Sequence, residues 1–321
     1  MRKLVITGAL GHIGSRLIRN IRPGEFDEVV LLDDLSTQRY SSLFGLPTDV
    51  PYRFLEADIL NADLGRLFAG ASAVIHLAAI ANAAGSFEIQ TRVEEVNYQG
   101  AARVARACAE AGANLLFLST TSVYGTQDDT VDEDCRPDQL QPQSPYAESK
   151  LKAEGELRTL AGTVGLRYVT LRFGTIYGTS PGMRFHTAVN KFIWQACMGL
   201  PITVWRTALH QKRPYLELGD AVGALRFVLR TQRFDNRVYN VVTDNTTVND
   251  IIEAIREFIP ALRVEFVDSR IMNQLSYTVL SEKFRKLGFR FEGKLRNGIR
   301  DTVALLSGAR AADNSALRVS D

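Results

Sequence analysis

A tyrosine and a lysine four residues apart, in Pro145-Tyr146-Ala147-Glu148-Ser149-Lys150, form the sharpest chemical pattern in this chain. On a helix that spacing puts both side chains on one face. A phenol is a poor base because its reference pKa is ~10. A cation close by stabilises the phenolate and lowers that value. The pair can then exchange a proton with a hydroxyl while hydride leaves the carbon that bears it. Further hydroxyls lie in Leu118-Ser119-Thr120-Thr121-Ser122-Val123-Tyr124-Gly125. At the end of a parallel strand, a hydroxyl sits at the carboxyl edge where ligands bind. It can hydrogen-bond the reacting oxygen there and share its proton. Chemistry alone does not select among the four hydroxyls.

Hydride needs an acceptor, and the N-terminus carries the pattern for one. The first strand runs into Thr7-Gly8-Ala9-Leu10-Gly11-His12-Ile13-Gly14. Gly8 permits the tight turn, Gly11 lets backbone amides approach a pyrophosphate, and Gly14 lets the helix pack closely on the sheet. The helix N-terminus then offers free N–H groups and its positive dipole end to the anion. The second strand ends in Asp33-Asp34, and Asp33 lies 19 residues after Gly14. A carboxylate there suits the adenosine ribose hydroxyls and repels a 2′-phosphate, which favours NAD over NADP. Arg39 is nearby but displaced into a loop. Asp58, after the next strand, reads either as an adenine contact or as a helix N-cap.

These residues need elements to position them. Short, nearly uninterrupted apolar runs occur at Leu4–Ile6, Val29–Leu32, Ala73–Leu77, Leu115–Leu118 and Tyr168–Leu171, as in strands buried on both faces of a parallel sheet. Helical stretches lie between them at Ile13–Asn20, Leu64–Phe68, Val93–Ala111 and Pro145–Ala161. The alternation predicts an α/β fold of Rossmann type, a doubly wound parallel sheet, with a smaller C-terminal α+β substrate lobe. Residues 1–175 form the dinucleotide-binding domain on this reading, and residues 176–306 a lobe interleaved with it. That lobe contains Ile202–Trp205, Asp220–Leu229, Val238–Val242 and Val248–Phe258. The tail 307–321, rich in Ala, Ser, Asp and Arg, is expected to be flexible.

The totals exclude several classes. Of 321 residues, 45% are hydrophobic and 23% charged, with a net charge of +2, so an ordinary buried core is expected. Lys and Arg are scattered, without the clustered footprint of a nucleic-acid or anionic-membrane binder. No apolar run has the length of a membrane span. The first strand begins at Lys3, leaving no room for a signal peptide. Cys108, Cys135 and Cys197 form no CxxC pair, and the four His are widely spaced, so no metal site is expected and a reduced, cytoplasmic compartment fits best.

Taken together, the chain resembles the extended short-chain dehydrogenase/reductase family of NAD-dependent nucleotide-sugar epimerases and dehydratases. The resemblance covers roughly residues 3 to 305. It is carried by the glycine loop, Asp33, His76-Leu77-Ala78-Ala79, Asn97, the Ser119–Gly125 run, Tyr146 with Lys150, and Arg172 through Gly178. It implies that Thr120, Tyr146 and Lys150 are catalytic, with Tyr146 the base and Lys150 its ribose-binding partner. It implies a cofactor site for NAD made of Gly8, Gly11, His12, Ile13, Gly14, Asp33, Asp34, Asp58, Ile59, Leu77, Ala78, Ala79, Asn97, Tyr146 and Lys150. A nucleotide-diphosphate sugar, UDP-linked by preference, would meet Ser86, Thr120, Thr121, Ser122, Tyr146, Thr175, Asn190, Arg213 and Arg270. A guanidinium fork suits the phosphate oxygens.

The two positions after Thr120 bear on the reaction. Dehydratases of the family carry Asp-Glu there and decarboxylases a Glu, whereas Thr121 and Ser122 resemble the 4-epimerases. A reductase or dehydrogenase, a dehydratase, and a non-catalytic NAD-binding module are the alternatives. There are departures from the family pattern. Thr175 replaces a common Asn, Asn82–Ser86 lacks the usual Val-Pro-Arg flavour, and Gly182-Met183-Arg184-Phe185-His186 and Trp205-Arg206 are unlike the common epimerases. The resemblance also implies a homodimer pairing Val93–Ala111 and Pro145–Ala161 into a four-helix bundle, with Ala101, Ala102, Ala105, Ala107 and Ala109 allowing close packing.

Overall fold

The computed structural model describes residues 2–125, 130–268 and 277–309. Arg270 and most of the tail lie outside them. The strands are β1 (Lys3–Thr7), β2 (Glu28–Asp33), β3 (Tyr52–Glu56), β4 (Ala71–His76), β5 (Asn114–Thr120), β6 (Thr130–Val131), β7 (Tyr168–Phe173), β8 (Thr175–Tyr177), β9 (Ile202–Trp205), β10 (Lys212–Glu217), β11 (Val238–Val241), β12 (Asp244–Thr247), β13 (Val264–Val267) and β14 (Thr278–Val279). The α-helices are α1 (His12–Ile18), α2 (Leu64–Phe68), α3 (Gln90–Val93), α4 (Gly100–Ala111), α5 (Pro145–Val164), α6 (Ala188–Cys197), α7 (Leu218–Thr231), α8 (Val248–Arg256), α9 (Glu282–Lys286) and α10 (Leu295–Leu306).

Seven strands form one parallel sheet in the order β11-β7-β5-β4-β1-β2-β3. The order reverses between β1 and β4, the switch point at which such sheets bind ligands. Successive residues of each strand feed opposite faces. Leu4, Ile6, Val29, Leu31, Ile75, Leu116 and Leu118 enter a core with α1 and α7. Val5, Val30, Leu32, Val74, Leu115 and Phe117 enter the other, with α2, α4 and α5. Both faces are covered, so the strands read as continuous apolar runs rather than alternating ones. The doubly wound parallel sheet anticipated above is borne out. The edge strand β3 is only half covered and shows no such run.

Two segments grouped above with the smaller lobe belong to the large sheet. Strand β11 pairs with β7 at its margin, and α7 fills the core beside α1. The chain enters the second lobe and returns, and local sequence carries no mark of that return. The rest of the lobe has its own core, in which Tyr177, Phe192, Ile193, Ile202, Tyr215, Ile251 and Ile299 meet. Its strands pair as β12-β10-β8 and β13-β9, and β14 joins β6.

Local chemistry sets the helix that carries Tyr146. Ser144 caps α5 by accepting from Ala147 N at 3.2 Å, Pro145 occupies its first turn, and Gly165 ends it in the left-handed conformation. The helix anticipated from Val93 begins at Gln90 and is interrupted by a π-helical segment, Glu94–Gln99. Asn97 sits inside that segment, and π-bulges often mark functional sites.

Polar groups lie inside this frame. Glu154 of α5 and Arg172 of β7 form an ion pair with side chains 1% and 6% exposed. Arg172 Nε donates to Glu154 Oε1 at 3.0 Å and its NH2 to Oε2 at 2.7 Å, while Ser119 Oγ donates to Oε1. The guanidinium stacks 4.9 Å over Tyr124, whose hydroxyl donates to Asn240 Oδ1 at 2.8 Å. Burial works against the Arg172 charge, but Glu154 more than compensates and keeps it protonated. His76, at the end of β4, is 1% exposed. Its Nδ1 meets Thr7 Oγ1 at 2.7 Å, and its Nε2 has no partner among the described residues. Burial, then the Lys150 charge, lowers its pKa to about 3.

Two measurements test this interior. Arg172→Met should leave a buried, unpaired carboxylate and cost ~3–5 kcal/mol of stability, read as a lower urea midpoint. A midpoint within error of the native protein's would show the pair to be dispensable. For His76 the folded pKa lies below the ordinary 6.5, so the unfolded chain binds the extra proton. Its contribution is complete above about pH 6.5 and is lost as pH falls toward the folded value. His76→Gln should therefore melt with a shallower pH dependence than the native protein between pH 6.5 and about 4; parallel curves would contradict this.

Candidate active site

At the switch point a cleft of about 260 Å³ opens along the carboxyl edge. Gly8, Gly11, Asp33, Asp34, Asp58, Ile59, Leu77, Ala78 and Ala79 line it, so most of the cofactor residues read from sequence converge there. Gly8 has φ +67°, and a Cβ on it would lie 2.5 Å from Ala78 N. Only a glycine lets the chain leaving β4 cross the loop this closely. A Cβ on Gly14 would lie 2.4 Å from Ala9 O, so the start of α1 is pressed against the turn that leaves β1. A larger hollow of about 730 Å³, around Arg226, Phe227, Arg230 and Phe289, contains none of the candidate residues.

The acids differ in their partners. Asp33 accepts from Leu10 N at 3.0 Å and Leu35 N at 3.1 Å, one on each oxygen. Each oxygen retains a lone pair, so ribose hydroxyls can still be bound. Burial raises its pKa from the usual carboxylate value. Asp34 accepts from Ser36 N and Oγ and shapes the loop beyond β2. Asp58 lines the cleft and accepts from Leu60 N at 2.9 Å in a local turn, whereas α2 is capped by Asp63, so the helix N-cap reading of Asp58 does not hold.

Three of the residues act from behind the cleft wall. Asn97 is fully buried; its Oδ1 accepts from Ile80 N at 2.8 Å, and its Nδ2 donates to Ile80 O at 3.0 Å and Ser149 Oγ at 3.3 Å. It latches the Leu77–Ile80 segment and has no amide hydrogen left for a ligand. His12 and Ile13 open α1, and His12 Nε2 meets Gly178 O at 3.0 Å. Burial lowers the His12 pKa to about 4, leaving the imidazole neutral near pH 7.

Thr120 ends β5, and Tyr146 and Lys150 project from the first turns of α5. Thr120 lies near enough to Tyr146 to lower the pKa of its hydroxyl. Thr120 Oγ1 also accepts from Ser122 N and donates to Ser122 Oγ, both at 3.1 Å. Of the four hydroxyls, Thr120 is the one whose side chain acts on the Tyr146 pKa. Ser119 is turned to Glu154, and Thr121 Oγ1 donates to Phe173 O at 3.3 Å. Lys150 is 3% exposed, and its Nζ donates to Leu118 O at 2.9 Å and lies 4.9 Å over the Phe117 ring. Burial lowers its pKa to about 8, and Glu154 one turn on pulls it back up.

Burial raises the Tyr146 pKa to about 12, and the groups that oppose this are the Thr120 side chain and the Arg184 charge. Lys150 points instead at a backbone carbonyl. Arg184, whose charge lowers the Tyr146 pKa, belongs to the Gly182–His186 stretch that sequence singled out only as unusual. Arg39, Arg92 and Arg184 line the cofactor cleft and were absent from the residues read as its walls. No local spacing signals a side chain delivered from another lobe.

The substrate-side residues divide. Ser86 is buried, donates to Ala83 O at 2.6 Å and accepts from Tyr146 N at 3.4 Å, so it seats the start of α5. Asn190 is fully buried, accepting from Gly178 N at 3.1 Å and donating to Gly178 O at 3.2 Å. It stabilises a turn, and the nucleotide contact expected of it is not supported by its orientation. Thr175 lies in β8 opposite Tyr215 of β10, two residues from Arg213. The Arg213 charge reaches Tyr277, whose hydroxyl donates to Thr121 O at 3.3 Å, so these residues belong to one neighbourhood. Arg270 lies outside the described residues.

Known proteins give this geometry a context. Residues 4–241 match the model of the NAD dependent epimerase/dehydratase family. The chain is 26% identical over 317 residues to an uncharacterised UDP-glucose epimerase, YtcB, of Bacillus subtilis, covering 95% of this chain and 98% of that one. It is 31% identical over 315 residues to a dTDP-glucose 4,6-dehydratase of Streptomyces griseus, covering 94% and 93%. Among solved structures, UDP-glucuronic acid 4-epimerase from Bacillus cereus, in complex with UDP-glucuronic acid and NAD, superposes with a TM-score of 0.85 at 25% identity, over 95% of this chain and 99% of that one. The glycine cradle, Asp33 and the Thr120–Tyr146 pair stand on the frame such a cofactor requires. The chain belongs to the NAD dependent epimerase/dehydratase family of extended short-chain dehydrogenase/reductases, and its cofactor is NAD.

Proposed function

We propose that this enzyme is a nucleotide-sugar 4-epimerase acting on a UDP-sugar. The observation that carries the reading is the pair Thr121 and Ser122 directly after Thr120. Loss of water needs an acid and a base beside the oxidised carbon, and neither hydroxyl is acidic enough to serve. Thr121 is moreover tied to Phe173 O. Tyr146 and Thr120 would supply only the proton transfer, which is all that epimerisation needs from side chains when NAD supplies the hydride acceptor.

NAD, when bound, accepts the hydride from C4 and later returns it. Tyr146 takes the C4 hydroxyl proton as that C–H bond breaks and the C–O double bond forms. Thr120 holds the oxygen and the phenol in line. Lys150, anchored on Leu118 O, fixes the floor beneath them. When the ketone presents its other face, hydride returns to carbon and Tyr146 gives its proton back, so there is no net redox change. Arg213, beside Thr175 and Tyr277, supports a role in holding the substrate's diphosphate, and residues 176–306 are proposed as mainly substrate lobe. The 31% identical dehydratase favours water loss as the second reading.

A cytoplasmic homodimer belongs to the same proposal. The three cysteines are unpaired, in keeping with a reduced compartment. Ala101, Ala102, Ala105 and Ala107 are buried within their own chain, so pairing would use the exposed faces around Arg103, Arg106 and Gly155. Light scattering on the eluting protein should give twice the chain mass; a monomer mass would remove the dimer from the proposal.

Incubation with UDP-sugars should yield a product of unchanged mass, with no accumulation of NADH absorbance. Product lighter by one water would establish the dehydratase, and stoichiometric NADH a dehydrogenase. Tyr146→Phe should lower turnover by ~10²–10⁴-fold, the usual worth of a positioned proton-transfer group, while the protein still carries NAD. Survival of activity would remove Tyr146 from the mechanism.

A further inference from the structure

The segment Gly178–His186 leaves β8 and runs back over the glycine loop, although the two are far apart in sequence. Ser180 Oγ donates to His12 O at 2.9 Å, and Gly182 N donates to Ser15 Oγ at 3.0 Å. His12 Nε2 meets Gly178 O. A Cβ on Gly182 would lie 2.2 Å from Leu10 O and 2.6 Å from Gly11 O, so the two backbones are in direct contact. This segment is thus seated on the loop that faces the pyrophosphate.

Two residues further on, it delivers Arg184 into the cleft, which Arg39 enters from the loop after β2. Arg39 approaches within 3.6 Å of the point where a Gly11 Cβ would stand. Neither guanidinium has an ion-pair or hydrogen-bond partner among the described residues, in a chain whose exposed arginines are often paired. Both are partly withdrawn from water, and the Arg184 charge opposes that of Arg39. The nearest acid, Asp33, faces Arg39 but is itself engaged by two backbone amides. Two cations held together at a helix N-terminus lack a counter-charge, and a bridging diphosphate supplies one. Guanidinium groups suit it because each presents a planar fork to the phosphate oxygens.

We propose that Arg184 and Arg39 together grip the diphosphate of bound NAD, and that this grip locks the Gly178–His186 segment of the second lobe over the loaded cofactor. The inference rests on the family's cofactor and stands apart from the choice of epimerisation. It also gives a physical reason for cofactor to stay bound through a cycle. The loop that closes on the diphosphate is continuous with the lobe assigned to the sugar nucleotide.

The test measures binding, not turnover. Arg184→Met, Arg39→Met and the double variant of the full chain are stripped of NAD, and affinities for NAD, ADP-ribose and adenosine are compared with the native protein. Arg184→Met should weaken NAD and ADP-ribose alike, by about tenfold or more. Adenosine should be unaffected, and the salt dependence of NAD binding should flatten. The double variant should be weaker than either single one. Arg184→Lys, which retains the charge without the fork, should recover part of the loss and controls for folding. Unchanged ADP-ribose affinity overturns the proposal, as does an equal loss for adenosine, which would mean a collapsed cleft. Weakened UDP binding with intact ADP-ribose binding also overturns it, by assigning Arg184 to the sugar nucleotide.

Discussion

The carboxyl edge of this enzyme depends on a charge pair that water does not reach. Glu154 and Arg172 join α5 to β7, and Ser119 ties the end of β5 into the same carboxylate. Thr120 follows Ser119 directly, and Lys150 lies one helical turn before Glu154. The strand that presents the hydroxyl and the helix that presents the phenol are therefore fixed to each other through one buried group. Such a pair need not add net stability compared with apolar packing, because desolvation opposes the Coulomb gain. What it adds is geometry, since a bidentate guanidinium admits little freedom in how helix and strand meet.

Close backbone approach is the second constraint. Gly8 lies under Ala78, Gly14 against Ala9, and Gly182 against Leu10, with no room for a side chain at any of them. The three contacts bring the first βα turn, the end of β4 and a loop of the other lobe to one place. Asn97 then holds the Leu77–Ile80 wall from behind, through an amide that a π-helical turn directs inward. The cleft is built largely of main chain, as suits a ligand recognised by its phosphates.

Burial governs the chemistry of the side chains that remain. It pushes Tyr146 up to about 12 and Lys150 down to about 8, opposing the charged form of each. Positive charge near the phenol reverses the first effect. Arg184 is such a charge within the chain itself, reaching Tyr146 and the cofactor cleft from one loop.

Local sequence was sufficient for much of this. The continuous apolar runs specify strands covered on both faces, because such strands need no polar side. The glycine spacing identifies the phosphate loop, in which Gly8 and Gly14 each leave no room for a Cβ, for separate steric reasons. Tyr146 and Lys150 share a helix face by periodicity alone. Tertiary structure decided what depends on residues distant in the chain. It returned β11 to the large sheet and α7 to the core beside it, and turned Asn97 and Asn190 inward onto backbone groups. It also aimed Lys150 at a carbonyl and brought Arg184 to the cofactor cleft. A side chain's partner is set by which backbone crosses it in space, and spacing along one segment carries no record of that crossing.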